Sequence, residues 1–517
     1  MDLFTGIATV LEPYNLLMLT IGIVIGLIFG TIPGLSGITA VALLVPFSYV
    51  LGPEVAIIMM IGVYVATSTA GGIAGSLFNM PGDVMGAATA RDGYPMTGKG
   101  EAGRSISMQI FASSIGGMIG VVILVLIAPQ FLRIALQFGS PEFFALAILG
   151  LACVAALSEG SLVKALLSAV IGLLIATVGF DAVSGAARFT FGSQSLQGGI
   201  DFIPAIIGFF AVSEILNILF TRGTMEKYDS DEIKKIPRVA LPSLKDIKYV
   251  RFSILRSSLI GNFVGMLPGA GSTIAAFLAY GVERQTAKNP EDFGKGEIKG
   301  VAAPEAANNS AAAGSMLPLI TLGIPGGAVT AIMLGVFILN GLRPGPLLFE
   351  RTPEIATSIY GAFFVAAVLV LVIGLLSVRM LLRLLTVPFA FFSTMVLLFA
   401  VVGTFSLYNR PLDLWVMLGC GVLGFLAKRY DFSIAALILG LVLGDIAEVG
   451  LVNGIGITRG DWTEFFTRPF TLGTLIAALV LMVLPFLIAK LLPKKNTCGD
   501  PEDGSNPTSA QSSAVGR

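Results

Sequence analysis

Apolar runs of about bilayer length recur along this sequence, for example at 15–32, 108–130, 361–378 and 470–492. A helix needs roughly 20 residues to cross the hydrocarbon layer. With no water there, each crossing segment must satisfy its own backbone, and a helix does so. Only 12% of the 517 residues are charged and 55% are hydrophobic, whereas soluble domains carry roughly 25% charge. The expected fold class is therefore an all-α polytopic membrane protein, with about twelve transmembrane helices and several shorter or broken ones.

The residue inventory removes several functions. There is no histidine, so Ser-His and Cys-His nucleophile pairs, HExxH zinc sites and histidine proton relays are excluded. Cys153 and Cys420 lie in apolar runs and Cys498 in a polar tail, a pattern that gives neither a disulfide framework nor a cysteine zinc site. Lys plus Arg and Asp plus Glu number 32 each, so charge offers no case for nucleic acid. Residues 1–25 lack the basic start and small-residue cleavage site of a signal peptide, and the first helix is expected to stay. No GxxxxGK[ST] stretch occurs, so nothing points to ATP hydrolysis.

The sequence divides into a first transmembrane repeat (1–221), a basic linker (222–251), a second repeat with an extra C-terminal helix (252–495) and a polar tail (496–517) expected to be disordered. Three landmarks recur in order. GLIFGTIPGLSGIT (26–39) aligns with GNFVGMLPGAGSTI (261–274), NMPGDVMGAAT (79–89) with GIPGGAVTAIM (323–333), and RIALQFGSPEFF (133–144) with RMLLRLLTVPFAFF (379–392). Such recurrence marks an internal duplication. The stretch 221–251 holds eight Lys/Arg against five Asp/Glu, which places it in the cytoplasm. Counting spans back from it puts Arg91, Lys99 and Arg104 inside. Counting from Lys490, Lys494 and Lys495 puts Arg379, Arg383, Lys428 and Arg429 inside, but the loop 341–354 outside. The halves are thus expected to be inverted, with the C-terminus cytoplasmic.

Pro-Gly pairs interrupt the apolar pattern at Pro33-Gly34, Pro81-Gly82, Pro268-Gly269 and Pro325-Gly326. Proline removes a helical N–H and glycine permits the angles that end a helix. At membrane depth the freed backbone must face protein or a wet cavity, as in secondary transporters whose half-helix ends hold an anion and a coupling cation. The candidate substrate-binding residues are Pro33, Gly34, Ser36, Gly37, Asn79, Pro81, Gly82, Pro268, Gly269, Gly271, Ser272, Thr273, Asn308, Asn309, Ser310, Gly323, Pro325 and Gly326. Glu305, Asn308 and Thr39 are candidates for holding the coupling ion, sodium or a proton; no other metal or cofactor is expected. Glu305 shares a helical face with Asn308 and Asn309, offering oxygens to a hard cation and amide donors to a carboxylate. The alternative is that Pro304 and Glu305 form the first turn of a helix. Glu214, Asp445 and Glu448 lie near helix ends, where interfacial or packing roles are expected. STAGGIAGS (68–76) suits close helix approach. RYDF and LVLGD fall short of an aspartyl-protease pair, because Val442 stands where a Gly-x-Gly-Asp motif needs glycine.

From about residue 15 to 490 the sequence resembles the large membrane subunit of the tripartite tricarboxylate transporter family. The matching stretches are GTIPGLSGITAVALLVPFSY, GYPMTGKGEAGRS, GMLPGAGSTIAAFLAYGVERQ, GLRPGPLLF and above all GVAAPEAANNSAAAGSMLPLITLGIPGG. PGLSG departs from the expected Pro-Gly-Leu-Gly at Ser36. The resemblance implies a bacterial inner-membrane uptake system. In it a periplasmic substrate-binding protein captures a small di- or tricarboxylate, a small four-helix membrane subunit assists, and this subunit translocates the acid by cation symport, with an elevator-like movement. An anion channel, a non-transporting scaffold subunit and an intramembrane enzyme are the competing classes, the last without a nucleophile–base pair.

Overall fold

The computed structural model describes residues 2–157, 161–181, 184–221, 240–267, 269 and 271–491. Pro268, residues 222–239 of the linker, and Lys494, Lys495 and the tail lie outside the described residues. Among the described residues the regular structure is helical apart from one two-stranded antiparallel pair, Gly179–Phe180 with Ala187–Arg188. Among the described residues, eight helices are long and apolar enough to cross a membrane, and five shorter helices are apolar. The fold is an all-α polytopic membrane protein.

One succession of elements occurs twice. Helix Pro13–Thr31, a break, short helix Gly37–Ser48, buried helix Pro53–Ala70 with its extension Ile73–Phe78, a second break, short helix Gly86–Gly98 and long helix Ala102–Ala135 form the first set. Helix Leu244–Gly265, a break, Gly271–Thr286, the central helix Ile298–Leu322, a second break, Ala328–Leu339 and the long helix Pro353–Leu384 form the other. The packing contacts repeat as well. A Cβ on Gly26 or Gly30 would meet the Val63 or Thr67 carbonyl oxygen at 2.6 or 2.8 Å, and on the matching Gly261 or Gly265 the Ala307 or Ala311 oxygen at 2.1 or 2.3 Å. Small residues let these backbones touch, the usual means of helix association where lipid removes the hydrophobic driving force.

Corresponding helices run antiparallel. Between the long helices, Ser114 donates to the Ala367 carbonyl at 2.8 Å while Ile110 packs on Gly374. Between the buried helices, Tyr64 meets Ser315 and Asn308 meets Ser68. The halves are also interlocked: Leu162–Ala176 packs on Ile434–Ile457, as Pro411–Arg429 packs on the 202–221 segment, Gly172 against the Leu437 carbonyl and Gly208 against that of Met417.

The central helix is buried from end to end, apart from Lys299 and Leu322. At 25 residues and 1.5 Å per residue it is roughly 37 Å long. Its alanine-rich, polar composition keeps it out of the candidate spans because protein surrounds it and it has no lipid face to cover. Its neighbour Ala102–Ala135 lies so close that a Cβ on Gly116 would stand 2.4 Å from the Ala306 oxygen.

Gly116→Ala is therefore expected to destabilise the protein in detergent by about 1–3 kcal/mol, the cost of overpacking. Gly281→Ala, in a helix position with nothing within 4 Å, should stabilise by about 0.5–1 kcal/mol. Thermal unfolding of the two variants checks the sign difference.

Candidate functional site

Each second break folds the chain back into the protein. After Leu322, Gly323 turns in the left-handed region at φ 74° and its N–H bonds the Leu319 carbonyl at 2.9 Å. The chain then reverses, so that Gly326 lies against Ser315, and Ala328–Leu339 returns until Gly345 N–H reaches the Ile320 carbonyl at 3.1 Å. The first half does the same. Asn79 takes the left-handed turn at φ 56°, Gly82 N–H bonds the Gly71 carbonyl at 3.0 Å, and Thr97 returns to the Ser76 carbonyl at 2.7 Å. Gly82 and Gly326 sit on equivalent ground: a Cβ would lie 2.2 Å from the Gly30 oxygen in one case and 2.9 Å from the Gly265 oxygen in the other. The two breaks of the second half are joined directly, Gly269 N–H to the Gly326 carbonyl at 2.9 Å. Several of the freed backbone groups, those of Gly82, Gly269 and Gly326 among them, are thus paired inside the protein, as hydrocarbon surroundings demand.

Between these breaks the two buried helices cross. Asn308 donates to the Ser68 carbonyl at 2.8 Å, Asn309 accepts from Thr69 at 3.1 Å, and the Tyr64 hydroxyl meets Ser315 at 3.2 Å and lies beside Ser272. The contact with Ser68 needs an N–H, which fixes the orientation of the Asn308 amide and points its Oδ1 elsewhere. That oxygen is buried and has no hydrogen-bond partner among the described residues. A buried acceptor left so costs about 1–3 kcal/mol, and such an orphan needs a physical reason, a bound ion or water being one. Asp83, in the first half's second break, lies against Gly71, near Tyr64, and turns toward the N–H groups of Val84 and Met85. It forms no ion pair among the described residues.

Glu305 is fully engaged. Its two oxygens accept from Thr89 and Ser113, each at 2.7 Å, and Gly72 leaves room for it, since a Cβ there would be 2.6 Å from Oε1. The helix starts at Ile298 with Glu297 as its cap, so Pro304 and Glu305 are interior and not a first turn. Gln109 closes the same wall by donating to the Thr69 carbonyl at 2.9 Å.

The predicted residues separate into groups. Asn308, Asn309 and Ser272 gather at the crossing, and Gly82, Gly269, Pro325 and Gly326 belong to the backbone around it. Gly37 packs on Thr67 one residue before Ser68, while Ser36 caps its own helix and bonds Thr39 at 3.1 Å. Thr39 and Glu305 therefore make their hydrogen bonds away from Asn308. Ser310 turns to the Ser258 carbonyl at 2.7 Å. Asn79 is exposed at its turn and Gly323 borders a separate cavity. Gly34, at φ 87°, and Gly271, at φ 62°, occupy left-handed turns; Pro33, Pro81 and Thr273 accompany the breaks. Glu214 pairs with Lys428 and Glu448 with Arg188, whereas Asp445 has neither hydrogen bond nor ion pair among the described residues. Sequence reading missed Tyr64, Asp83, Thr89, Gln109 and Ser113. Tyr64 aligns with Asn308 in the repeat, which was the available signal; nothing in the sequence singles out Gln109.

Comparison with known proteins places this architecture. A protein in the TAR-I ttuC' 3' region of Agrobacterium vitis, described as uncharacterized and of 52.8 kDa, is 35% identical over 493 residues, covering 95% of this chain and 97% of that one. An uncharacterized protein in the TAR-II ttuC' 3' region of the same organism is 38% identical over 227 residues, 44% of this chain and 94% of its own length. No solved structure matches. The family model described as "Tripartite tricarboxylate transporter TctA family" matches residues 16–439, and the chain belongs to that family of transporter membrane subunits.

Proposed function

We propose that this protein is the translocating subunit of a binding-protein-dependent secondary transporter that carries a small di- or tricarboxylate inward with sodium. The observation that carries the reading is the orphaned Asn308 Oδ1 at the antiparallel crossing of two broken helices. Sodium, a hard cation, takes carbonyl and carboxylate oxygens. Asn308 Oδ1 and the Asp83 carboxylate beside Gly71 supply that chemistry. The N–H groups freed at the breaks supply donors for an anion. The halves act as inverted repeats around this point, and alternating access follows as an elevator-like displacement of the broken-helix body.

Orientation follows from charge. Arg104 pairs with Asp246 at 2.6 Å, Lys99 donates to the Lys295 carbonyl at 2.5 Å, and Asp92 accepts three N–H groups, from Gly294, Gly296 and Glu297, each at 2.8 Å. This basic face, beside the linker, is the cytoplasmic one of a bacterial inner membrane. A periplasmic binding protein would then deliver the acid to the opposite face, and a small four-helix subunit would complete the complex.

Uptake of labelled citrate and succinate into cells expressing all three subunits tests the reading. Saturable, sodium-dependent uptake is expected, and Asn308→Ala should raise the sodium concentration for half-maximal rate about tenfold, equivalent to ~1.4 kcal/mol. Unchanged sodium dependence in the variant would refute the assignment; conduction without saturation would favour a channel.

Glu305 should behave differently. Glu305→Ala strands the Thr89 and Ser113 hydroxyls, and a loss of about 1–3 kcal/mol per stranded group is expected in unfolding experiments. Glu305→Gln, which still accepts one hydroxyl, should keep most of the stability and the same sodium dependence as the parent.

A further inference from the structure

Two helices of the second half start side by side. Gly271–Thr286 and Ala328–Leu339 follow that half's two breaks, and a Cβ on Gly327 would stand 3.5 Å from Gly271 Cα. The sequence offers neither start a capping oxygen, having alanine at 270 and glycine at 271 and 327. The N–H groups of Ser272, Ala328 and Val329 find no acceptor among the described residues, although Ser272 and Val329 are buried. Buried N–H groups are nearly always paired. Contacts close a ring around these starts. Gly326 packs on Ser315, Ser315 meets the Tyr64 hydroxyl at 3.2 Å, and Tyr64 lies beside Ser272. Ser315 gives its hydrogen to the Ala312 carbonyl at 2.8 Å, so Tyr64 supplies the O–H of that pair.

The first half shows what such a break holds. In the gapless alignments Ser36 corresponds to Gly271 and Asp83 to Gly327. Ser36 accepts the Thr39 N–H at 3.3 Å, and Asp83 turns its carboxylate to the N–H groups of Val84 and Met85. The same architecture thus holds a carboxylate in one half and, with glycine at both positions, leaves its N–H groups open in the other.

We propose that the paired helix starts at Gly271 and Gly327 hold a carboxylate group of the transported acid, in the place that Asp83 fills in the first half, with Tyr64 and Ser272 donating their hydroxyls to it. The inference rests on the transporter reading and deepens it, giving acid and sodium opposite halves of the crossing. Two helix N-termini bring positive dipole ends and free N–H groups to one anion. Among the described residues no acidic side chain belongs to the ring. Asp83 lies near Tyr64 and repels the acid until sodium neutralises it. Each ligand therefore strengthens the other's binding, as linkage requires.

Equilibrium binding of labelled citrate and succinate to the purified chain in lipid nanodiscs, at saturating sodium, tests it. At least one acid is expected to bind saturably, and more weakly without sodium. Gly327→Asp restores the first half's residue. Gly327 is extended, at φ −172°, and has room for a Cβ, so the new carboxylate would occupy the site and should weaken binding by at least about a hundredfold through like-charge repulsion. Gly327→Asn, of equal size but uncharged, should cost only about tenfold, as should Tyr64→Phe, which removes one hydrogen bond to a charged group. Radioactive sodium should still bind Gly327→Asp, which shows that the variant folds; if it does not fold, Tyr64→Phe decides alone. Parental affinity for the acid in Gly327→Asp or in Tyr64→Phe would overturn the proposal, and so would equal losses in Gly327→Asp and Gly327→Asn. Failure of both acids to bind the parent would overturn it too, and three-subunit uptake of the same acids separates the cases. Intact uptake would leave the transporter standing with its acid held elsewhere, whereas no uptake would count against the transporter reading itself.

Discussion

Unpaired backbone cannot face hydrocarbon, and much of this architecture follows from that constraint. Four Pro-Gly pairs free N–H and C=O groups deep in the chain, so the segments around them must be wrapped by other helices. The central helix is the wrapping at its most complete. It is buried along its length, and glycines on two neighbours, Gly116 and Gly120 on one side and Gly261 and Gly265 on the other, bring their backbones into contact with it. A helix held so tightly can carry Glu305, Asn308 and Asn309, because the Glu305 carboxylate, the Asn308 N–H and the Asn309 amide find partners that lipid could not provide. Asn308 Oδ1 and Asn262 Oδ1 are buried acceptors nearby that find none among the described residues; the first belongs to the amide that bonds Ser68 at the crossing.

Duplication gives this arrangement its economy. Each half alone would leave its broken segments half covered. Run antiparallel and interlocked, the halves cover each other: Gly37–Ser48 packs on Ala328–Leu339, and Gly86–Gly98 on Gly271–Thr286, where Tyr280 reaches Asp92 at 2.9 Å. The halves have diverged where chemistry differs. Tyr64 stands opposite Asn308 in the repeat and Asp83 opposite Gly327, so the amide lies in the second half and the carboxylate in the first.

Much of this was legible in the sequence. Apolar run length gave the class, and the Pro-Gly pairs and flanking glycines gave the repeat and the positions of the breaks. The PEAANN stretch drew attention to Glu305, Asn308 and Asn309. Partnerships were not legible. Thr89 and Ser113 join Glu305 from 216 and 192 residues away, and an isolated hydroxyl in an apolar run carries no mark of its partner. The start of the central helix at Ile298 was hidden because Pro304 imitates a first-turn proline.

Sodium binding at equilibrium tests the central claim most directly. Purified chain in nanodiscs would be titrated with radioactive sodium beside Asn308→Ala and beside Ser253→Ala, which removes another buried, unpartnered side-chain oxygen away from the crossing. The account predicts saturable binding that Asn308→Ala weakens at least tenfold and Ser253→Ala leaves unchanged. Binding of equal strength in the Asn308 variant, or none in the parent, would contradict it.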